Sequence, residues 1–301
     1  MWASPRKVVA RRLTSLPDHL AYQGEPTAWT KVTRPGMRLH SFLEGLVIDE
    51  VGDFFCADVP HGRIFHVDAH SHTWRVAYEY AGEPHGIALL GDHQAVIADY
   101  RRGLLQLDLK SGSMEPLCTS HGTENFRGLS DLTRDVDGNI WFTDSGRTSL
   151  SDPTGRLFRL TTSGSLRCVL DNVPYPNGVA VSQDGSSVYV AATRANAVWR
   201  IARTLPETGK PMAGLHVQLG GGLGPDGLAI AHDGTLAVAH AQAGCVWLFD
   251  SHGQPLARVA TPGGLWTTSV RFATNSMLLF IVDAQTGSLF EFDVSTLEAQ
   301  A

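Results

Sequence analysis

The sequence predicts an all-β protein, a six-bladed β-propeller with four antiparallel strands per blade. One unit recurs six times, with starts 41 to 49 residues apart. Each unit carries a hairpin turn pair at the same place, and no segment of useful length has helical periodicity. Radial repetition of four-stranded units at this spacing is typical of propellers. We therefore expect a single domain over residues 1–301, in which residues 1–25 form an N-terminal extension.

The six units share one internal order of strands and turns. A short strand with apolar alternation comes first, a turn follows, and a second, more apolar strand comes next. A third strand and, in most units, a more polar fourth strand complete the blade. Asp-Gly and related pairs between apolar runs predict hairpin turns because these residues tolerate positive φ. The units begin EGLVIDEVGDFFCAD, HGIALLGDHQAVIAD, SDLTRDVDGNIWFTD, NGVAVSQDGSSVYVA, DGLAIAHDGTLAVAH and SVRFATNSMLLFIVD. The predicted turns are Gly52-Asp53, Gly91-Asp92, Asp137-Gly138, Asp184-Gly185, Asp233-Gly234 and Asn275-Ser276.

The sixth unit has only three predicted strands, so its fourth strand must come from elsewhere in the chain. Trp29–Thr33 reads as a lone strand before the first unit. We expect it to supply the outer strand of the sixth blade and to close the ring. The Pro- and Gly-containing segment Thr204–Gly214 is expected to be an excursion between strands. A pair of β-sandwiches is the alternative fold, but it gives no reason for a six-fold shared pattern.

Composition limits the classes of partner. The 43% hydrophobic fraction supports a large packed core, and the net charge of -6 without a clustered basic face argues against nucleic acid as a partner. No apolar run is long enough to span a membrane or to act as a secretory signal. The four cysteines are far apart and form no C-x-x-C pair, so free thiols in a reducing, cytoplasmic compartment are expected. The Arg-rich, acid-poor N-terminus also has a transit-peptide character. The oligomeric state is left open.

The first residue of each unit is the main candidate for chemistry. Propeller symmetry places these six residues around one end of the central channel. Glu44, Asn177 and Asp226 among them form an oxygen-only set that suits Ca²⁺, with Mg²⁺ and Mn²⁺ on the same chemistry. Zn²⁺ fits less well because no His/Cys cluster exists. Taken alone, the pairs Asn177-Gly178 and Asp226-Gly227 are ordinary turn pairs, but their shared register with Glu44 favours a metal site. The six positions are Glu44, His85, Ser130, Asn177, Asp226 and Ser269.

Other polar residues receive more ordinary interpretations. No G-x-S-x-G motif is present, so a serine nucleophile is poorly supported. An Asp ends the second strand in four units, which indicates a structural role: Asp58, Asp99, Asp144 and Asp283. Loop residues above the channel end are candidates for the pocket wall: His85, Tyr100, Arg127, Arg147, Tyr175, His240 and Trp266.

At this point four segments carry a family resemblance: FLEGLVID, FRGLSDLTRDVDGNIWFTDSG followed by DPTGRLFRL, YPNGVAVSQDGSSVYVA, and GPDGLAIAHDGTLAVA. Their order and register resemble the senescence marker protein/gluconolactonase family, which includes regucalcin-like lactonases. The match runs from about Ser41 to Phe292. The resemblance implies a six-bladed propeller with one divalent cation at the channel mouth and the opening of sugar lactones. It also implies Glu44, Asn177 and Asp226 as metal ligands, with Asp226 as general base.

One position departs from the family pattern. The family usually has Asn-Asp-Leu where this chain has Ser130-Asp131-Leu132. Ser130 has a shorter reach and a weaker acceptor, so we expect a bridging water to complete its contact with substrate or metal. The family's substrate-binding Arg lies near Arg127. The predicted substrate-binding residues are Ser130, Arg127, His85, Tyr100 and Trp266.

The leading hypothesis is a hydrolase that opens a small lactone with metal-activated water. The cation is expected to be Ca²⁺, with Mg²⁺, Mn²⁺ and Zn²⁺ as alternatives, and Asp226 is the expected catalytic residue. Another ester or phosphotriester hydrolase could use the same site. Metal-free condensation, as in strictosidine synthase-like propellers, and a non-catalytic metal-binding propeller are further rivals. No nucleic-acid or membrane partner is expected.

Overall fold

A computed structural model describes residues 5–91 and 93–300 of the chain. Six antiparallel sheets, each of at least four strands, surround a central channel. The innermost strands of consecutive sheets contact one another, and the sixth contacts the first. The predicted six-bladed β-propeller is therefore confirmed.

The strands of each blade run outward from the channel in chain order. The first blade contains Leu43–Ile48, Phe54–Asp58, Arg63–Val67 and Trp74–Glu79. The second contains Pro84–Leu89, Gln94–Asp99, Gly103–Asp108 and Met114–Cys118. The third contains Leu129–Arg134, Ile140–Asp144, Gly155–Leu160 and Leu166–Val173. The fourth contains Pro176–Val181, Ser187–Ala192, Ala197–Ala202 and Gly214–Gln218. The fifth contains Gly224–Ile230, Leu236–Ala241, Cys245–Phe249 and Pro255–Ala260, and the sixth Thr267–Phe272, Leu278–Asp283 and Ser288–Asp293.

An N-terminal strand closes the ring, but not the one predicted. Arg11–Ser15 pairs antiparallel with Ser288–Asp293 and is the fourth strand of the sixth blade. The placement of this strand at Trp29–Thr33 was wrong, because Ala28–Thr33 is an α-helix. The Thr27 side chain caps the helix by accepting a hydrogen bond from the Thr30 amide at 3.2 Å.

The predicted N-terminal extension contributes a second strand as well. Arg6–Val9 pairs in parallel with Pro255–Ala260 and adds a fifth strand to the outer edge of the fifth blade. Much of the described part of the extension is therefore built into the sheets. The remaining elements are a two-stranded hairpin, Ser120–His121 with Glu124–Asn125, and short 3₁₀ helices at Asp18–Leu20, Val59–His61, Thr193–Ala195 and Val294–Gln300.

The predicted hairpin turns connect the first and second strands of each blade. The residues that required positive φ have it: Gly52 at 96°, Gly91 at 97°, Gly138 at 81°, Gly185 at 67°, Gly234 at 89° and Asn275 at 51°. Asp92, the second residue of the predicted Gly91-Asp92 pair, lies outside the described residues. The predicted excursion at Thr204–Gly214 links the third and fourth strands of the fourth blade.

The described residues form seven hydrophobic clusters, and six of them each lie between two neighbouring blades. The seventh contains Phe42, Val59 and Ala284, with Trp29 and Trp266 packed against it. Between the sixth and first blades, for example, the rings of Phe54 and Phe280 pack edge to face with centroids 4.7 Å apart. Burial between neighbours explains why one blade cannot be stable alone. All four cysteines are free thiols, and the described residues include no helix long and apolar enough to cross a membrane.

The Asp residues that end four second strands have the structural role that their repetition predicted. Asp144 accepts the backbone N–H groups of Arg127 and Gly128 at 2.7 and 2.8 Å. Asp58 likewise accepts the Phe42 amide at 2.8 Å. These buried carboxylates fasten the chain that enters a blade to the end of that blade's second strand.

Candidate functional site

The innermost strand of every blade is bulged where its repeat unit begins. The pairing register shifts between Glu44 and Val47 in the first blade and between Pro176 and Val179 in the fourth, and each other blade shifts at its equivalent position. A β-bulge inserts an unpaired residue and redirects side chains. The six units therefore share a β-bulge at the same sequence position, and these bulges lie at one end of the channel.

The glycines that follow the candidate ligands have a packing role. Gly178 and Gly227 lie inside strands, not in turns, although Asn-Gly and Asp-Gly are common turn pairs. A Cβ on Gly178 would collide with the carbonyl oxygen of Asp226, and one on Gly227 would lie 2.7 Å from the carbonyl oxygen of Thr268. Glycine is required because the inner strands of adjacent blades approach closely around the channel.

A cavity of about 890 Å³ opens at this end of the channel. Six of the predicted site residues line it: Glu44, His85, Tyr100, Asn177, Asp226 and Trp266. Two further pocket candidates, Arg147 and Tyr175, also line it. The repeat register therefore brings together residues that are up to 222 positions apart in the sequence.

Two carboxylates dominate the floor of the cavity. Burial raises the pKa of Asp226 well above its usual range, and the negative charges of Glu44 and Asp131 raise it further. Among the described residues, neither Glu44 nor Asp226 has an Arg or Lys nitrogen within 4.0 Å. The closest positive partner of Glu44 is His85, whose Nδ1 lies 2.6 Å from Glu44 Oε2. The floor therefore concentrates negative charge in a buried place.

Ser130, Asn177 and Asp226 lie close together on three consecutive blades. The Ser130 hydroxyl donates to Asn177 Oδ1 at 2.8 Å. The nearby Asn177 side chain partly offsets the rise in the pKa of Asp226. Ser130 is buried and is not among the residues that line the cavity. It contacts the site through Asn177.

His85 has one ring nitrogen engaged and one free. Because the Glu44 carboxylate can only accept, Nδ1 carries the proton in this contact. Nε2 is buried and has no hydrogen-bond partner among the described residues. Burial lowers the pKa of His85, but the Glu44 charge outweighs it and the net direction is upward. In the neutral ring, Nε2 is an acceptor at the cavity wall.

Three predicted candidates lie elsewhere. The Arg127 guanidinium donates to the Thr154 carbonyl oxygen at 2.6 Å, and Arg127 does not line the cavity. His240 Nδ1 accepts a bond from Trp247, and its Nε2 lies 3.0 Å from the Gly221 carbonyl oxygen. The Ser269 hydroxyl accepts the Leu46 amide at 3.0 Å, which ties the sixth blade to the first.

The sequence did not reveal the residues that the N-terminal segment brings to the cavity. Trp29 and Arg34 line the wall beside Phe42 and Trp266. The Arg34 guanidinium lies 3.5 Å from the centroid of the Trp266 ring. The segment lies outside the repeats, so symmetry could not place it. The Thr27 cap, three residues before Thr30, was the available indication of a helix.

A further carboxylate and an arginine lie near the innermost strands. Asp131 and Arg271 line a small enclosed space of about 20 Å³ below the cavity. Burial raises the pKa of Asp131 to about 6, although its carboxylate accepts the Leu132 and Val179 amides. Burial lowers the pKa of Arg271, and Asp131 opposes that change. The pair places one positive charge beneath the acidic floor.

The chemistry of the donors fits a hard divalent cation. Two carboxylates and an amide carbonyl are ligands that Ca²⁺ accepts. No group of three or more His, Cys, Asp and Glu side chains in residues 5–91 and 93–300 is arranged to hold a metal ion. The candidate ligands are not a group of that kind, because only two of them are carboxylates and the third is the amide of Asn177. The oxygen of this amide accepts the hydrogen bond from Ser130.

The comparison with known proteins matches the part of the chain that contains the repeats. Residues 42–285 match the model of the SMP-30/gluconolactonase/LRE-like region. The chain belongs to this family. Among curated relatives of this family member, lactonase drp35 of Staphylococcus haemolyticus is 27% identical over 291 residues, which cover 91% of this chain and 87% of the relative.

Two solved structures show the same fold. A calcium-binding protein, regucalcin, from Agrobacterium tumefaciens superposes with a TM-score of 0.74 at 19% identity and covers 96% of this chain and 95% of its own. A gluconolactonase from Xanthomonas campestris superposes with a TM-score of 0.72 at 23% identity and covers 93% and 98%. The expected resemblance is thus confirmed at the level of family and fold.

Proposed function

We propose that this protein hydrolyses small lactones with a divalent cation held by Glu44, Asn177 and Asp226. Membership of the gluconolactonase family and the lactonase relatives support lactone hydrolysis. One observation supports the cation most strongly. The buried carboxylate of Asp226 and the half-buried carboxylate of Glu44 face the cavity, and among the described residues neither has an Arg or Lys nitrogen within 4.0 Å. Buried negative charges of this kind need a compensating positive charge.

The three ligands would supply oxygen atoms from three blades. Glu44 has one oxygen engaged by His85, which leaves the other for the ion. Ca²⁺ is the proposed ion because hard carboxylate and amide oxygens suit it, and Mg²⁺, Mn²⁺ and Zn²⁺ are the alternatives. A bound divalent cation supplies Lewis-acid polarisation of the lactone carbonyl and stabilises the negative charge that develops on its oxygen.

Asp226 is the proposed general base. A coordinated cation would lower the pKa of this carboxylate, so Asp226 would be a weak base that suffices for an activated ester such as a strained lactone. In the proposed reaction, Asp226 accepts a proton from the attacking water while the new C–O bond forms at the lactone carbonyl. The ring C–O bond then breaks, and the proton passes to the departing ring oxygen. The product is a hydroxy acid.

The residues around the floor would bind the substrate. His85 Nε2 is available for a hydrogen bond with a substrate hydroxyl or with the attacking water, since it has no partner among the described residues. Tyr100 lies beside it, with ring centroids 5.8 Å apart. Trp266 contributes apolar surface to the same cavity. Such a mixed wall suits a small ring that carries hydroxyl groups.

A lactone panel with and without a chelator tests this proposal. We expect turnover by the cation-loaded protein, loss on chelation and recovery when Ca²⁺ is restored. Asp226→Ala should abolish turnover and leave the melting temperature within a few degrees of wild type or higher. Full activity in Asp226→Ala would contradict the assignment of the base. Turnover of aryl esters or phosphotriesters alone would favour the other hydrolase, and tight metal binding without any turnover would favour a non-catalytic propeller.

A further inference from the structure

The cavity wall is rich in arginine. Four arginines line it, and no lysine does: Arg34, Arg101, Arg147 and Arg194. Arg101 faces Glu83, with Nη1 3.9 Å from Oε1. Within residues 5–91 and 93–300, the other three have no carboxylate oxygen within 4.0 Å. Three guanidinium groups thus border the cavity without an ion-pair partner of their own.

Arg34 is held in a fixed place. Its guanidinium lies 3.5 Å from the Trp266 ring centroid and 4.9 Å from that of Phe42. Its Nη1 donates to the Thr33 carbonyl oxygen at 3.0 Å. Stacking on a flat ring leaves the edge of the guanidinium plane, with its N–H groups, free for a ligand. The side chain is half-buried, so this charge is partly removed from water.

Arg194 brings a second positive charge towards the first. It is exposed on the rim, with its guanidinium 5.4 Å from the Tyr175 ring centroid. Burial lowers the pKa of Arg34, the charges of Glu44 and Asp226 oppose that change, and the nearby charge of Arg194 adds to it. Two like charges held near each other on aromatic supports repel, and a bound anion would offset that repulsion. Arg147 extends the positive rim near Tyr100, and its charge partly opposes the rise that burial causes in the pKa of Tyr100.

The charges of the cavity leave this anion site uncompensated. Four arginines oppose three carboxylates, those of Glu44, Glu83 and Asp226. Glu83 is matched by Arg101, and the other two carboxylates would be neutralised by the divalent cation of the proposed function, on which this inference rests. Arg34, Arg147 and Arg194 then remain positive. The cavity would attract an anion to the rim while a neutral lactone carbonyl meets the floor.

We propose that the substrates of this site are lactones that carry a second, anionic group, and that Arg34 and Arg194 bind this group. Guanidinium binds carboxylate and phosphate through paired hydrogen bonds, so either group fits. The lactone ring lies over Glu44 and Asp226, and the anionic substituent points to the rim. The arginines select the substrate and take no part in bond making.

Matched pairs of lactones test the selection. The γ-lactones of gluconic and glucaric acid differ in a terminal hydroxymethyl or carboxylate group, and the δ-lactone of gluconic acid is compared with and without a terminal phosphate. We expect kcat/KM of the anionic member of at least one pair to exceed that of the neutral member by tenfold or more. The pair that shows this identifies the group as carboxylate or phosphate. The advantage should shrink as ionic strength rises.

Two variants identify the arginines. Arg34→Gln and Arg194→Gln should each reduce the anionic advantage by about tenfold, because each removes one charge-assisted contact, and should change turnover of the neutral lactone much less. Arg194 is exposed, so its variant keeps the test valid if Arg34→Gln folds poorly. Arg75→Gln, an exposed position on the outer strand of the first blade, is the charge-matched control. Calorimetric titration with glucarate and gluconate should show the same preference without turnover.

The outcomes separate the two proposals. If neutral lactones are hydrolysed as well as the anionic ones, or if both arginine variants match Arg75→Gln, the anion site is wrong and the lactonase assignment stands. If no lactone of any charge is hydrolysed by the cation-loaded protein, the proposed function itself fails.

Discussion

The Ser130 hydroxyl donates a hydrogen bond to Asn177 Oδ1 at 2.8 Å and links the innermost strands of the third and fourth blades. Both residues are buried. The bond holds the Asn177 amide, and the same side chain partly offsets the rise in the pKa of Asp226. The residue at which this chain departs from its family pattern therefore acts on the proposed metal site through a neighbour.

Removing this hydroxyl should loosen the site. We expect Ser130→Ala to lower the free energy of unfolding by about 1 kcal/mol, because a buried acceptor loses its partner. We also expect Ca²⁺ affinity to fall several-fold, since the amide is no longer held. Ser288→Ala is the matched control: its hydroxyl is buried and bonded to Ser15 at 2.8 Å, and Ser288 does not line the cavity. It should lose similar stability and keep its Ca²⁺ affinity. Equal affinities in both variants would contradict the positioning role.

The closure of the ring gives a second prediction. Deleting residues 1–15 should lower the melting temperature by about 10 °C or prevent folding, because the sixth blade loses its outer strand and exposes its edge. Val32→Pro, in the exposed face of the Ala28–Thr33 helix, should shift it by only a few degrees. A calorimetric scan of both variants decides the matter. The opposite order of effects would place the closing strand near Trp29 after all.

Close packing around the channel gives a third prediction. Gly227→Ala should destabilise the fold by about 1–3 kcal/mol, because its Cβ would lie 2.7 Å from the Thr268 carbonyl oxygen. Gly220→Ala is the control, since no atom lies within 4 Å of its Cβ and its φ is not positive. It should be neutral or slightly stabilising. Urea denaturation measures both. A neutral Gly227→Ala would show that the inner strands can move apart.

A histidine far from the cavity should make stability depend on pH. Burial lowers the pKa of His216, its Nε2 has no partner among the described residues, and its ring packs edge to face on Tyr189. His216 therefore binds a proton more readily in the unfolded chain than in the folded protein. Its contribution to the free energy of unfolding is complete above the unfolded pKa of about 6.5 and is lost as the pH falls. His216→Phe should therefore gain stability relative to wild type between about pH 8 and pH 5. His70→Phe, at an exposed position, should not. If the free energy of unfolding of both variants changed with pH in the same way as that of wild type, this prediction would be wrong.

The six-fold repeat made most of the fold predictable from the sequence. Its turn residues, such as Gly138 and Asn275, require positive φ and so specify hairpins locally. Its register also placed Glu44, Asn177 and Asp226 at one end of the channel, because a bulge recurs at each unit start. Three features of the structure could not be predicted from the repeat. Arg11–Ser15 has no apolar alternation to mark it as a strand.

The other two concern single side chains. Arg34 reaches the cavity from a segment outside the repeats, so no symmetry argument places it. Arg127 is near the family's substrate-binding position in the sequence, yet its guanidinium is bonded to Thr154. Side-chain direction at a loop depends on local partners that a motif does not encode.

The most direct test of the central claim is a calorimetric titration of Ca²⁺ into the chelator-treated protein. The site geometry predicts one ion per chain, with binding reduced at least tenfold in Asp226→Asn and in Glu44→Gln, since each removes a negatively charged ligand. Asp184→Asn, which alters a carboxylate in the fourth-blade turn, should bind as wild type does. Lactone turnover in the same samples should follow occupancy of the ion. Equal Ca²⁺ binding by wild type, Asp226→Asn and Glu44→Gln would contradict a metal site at the channel mouth.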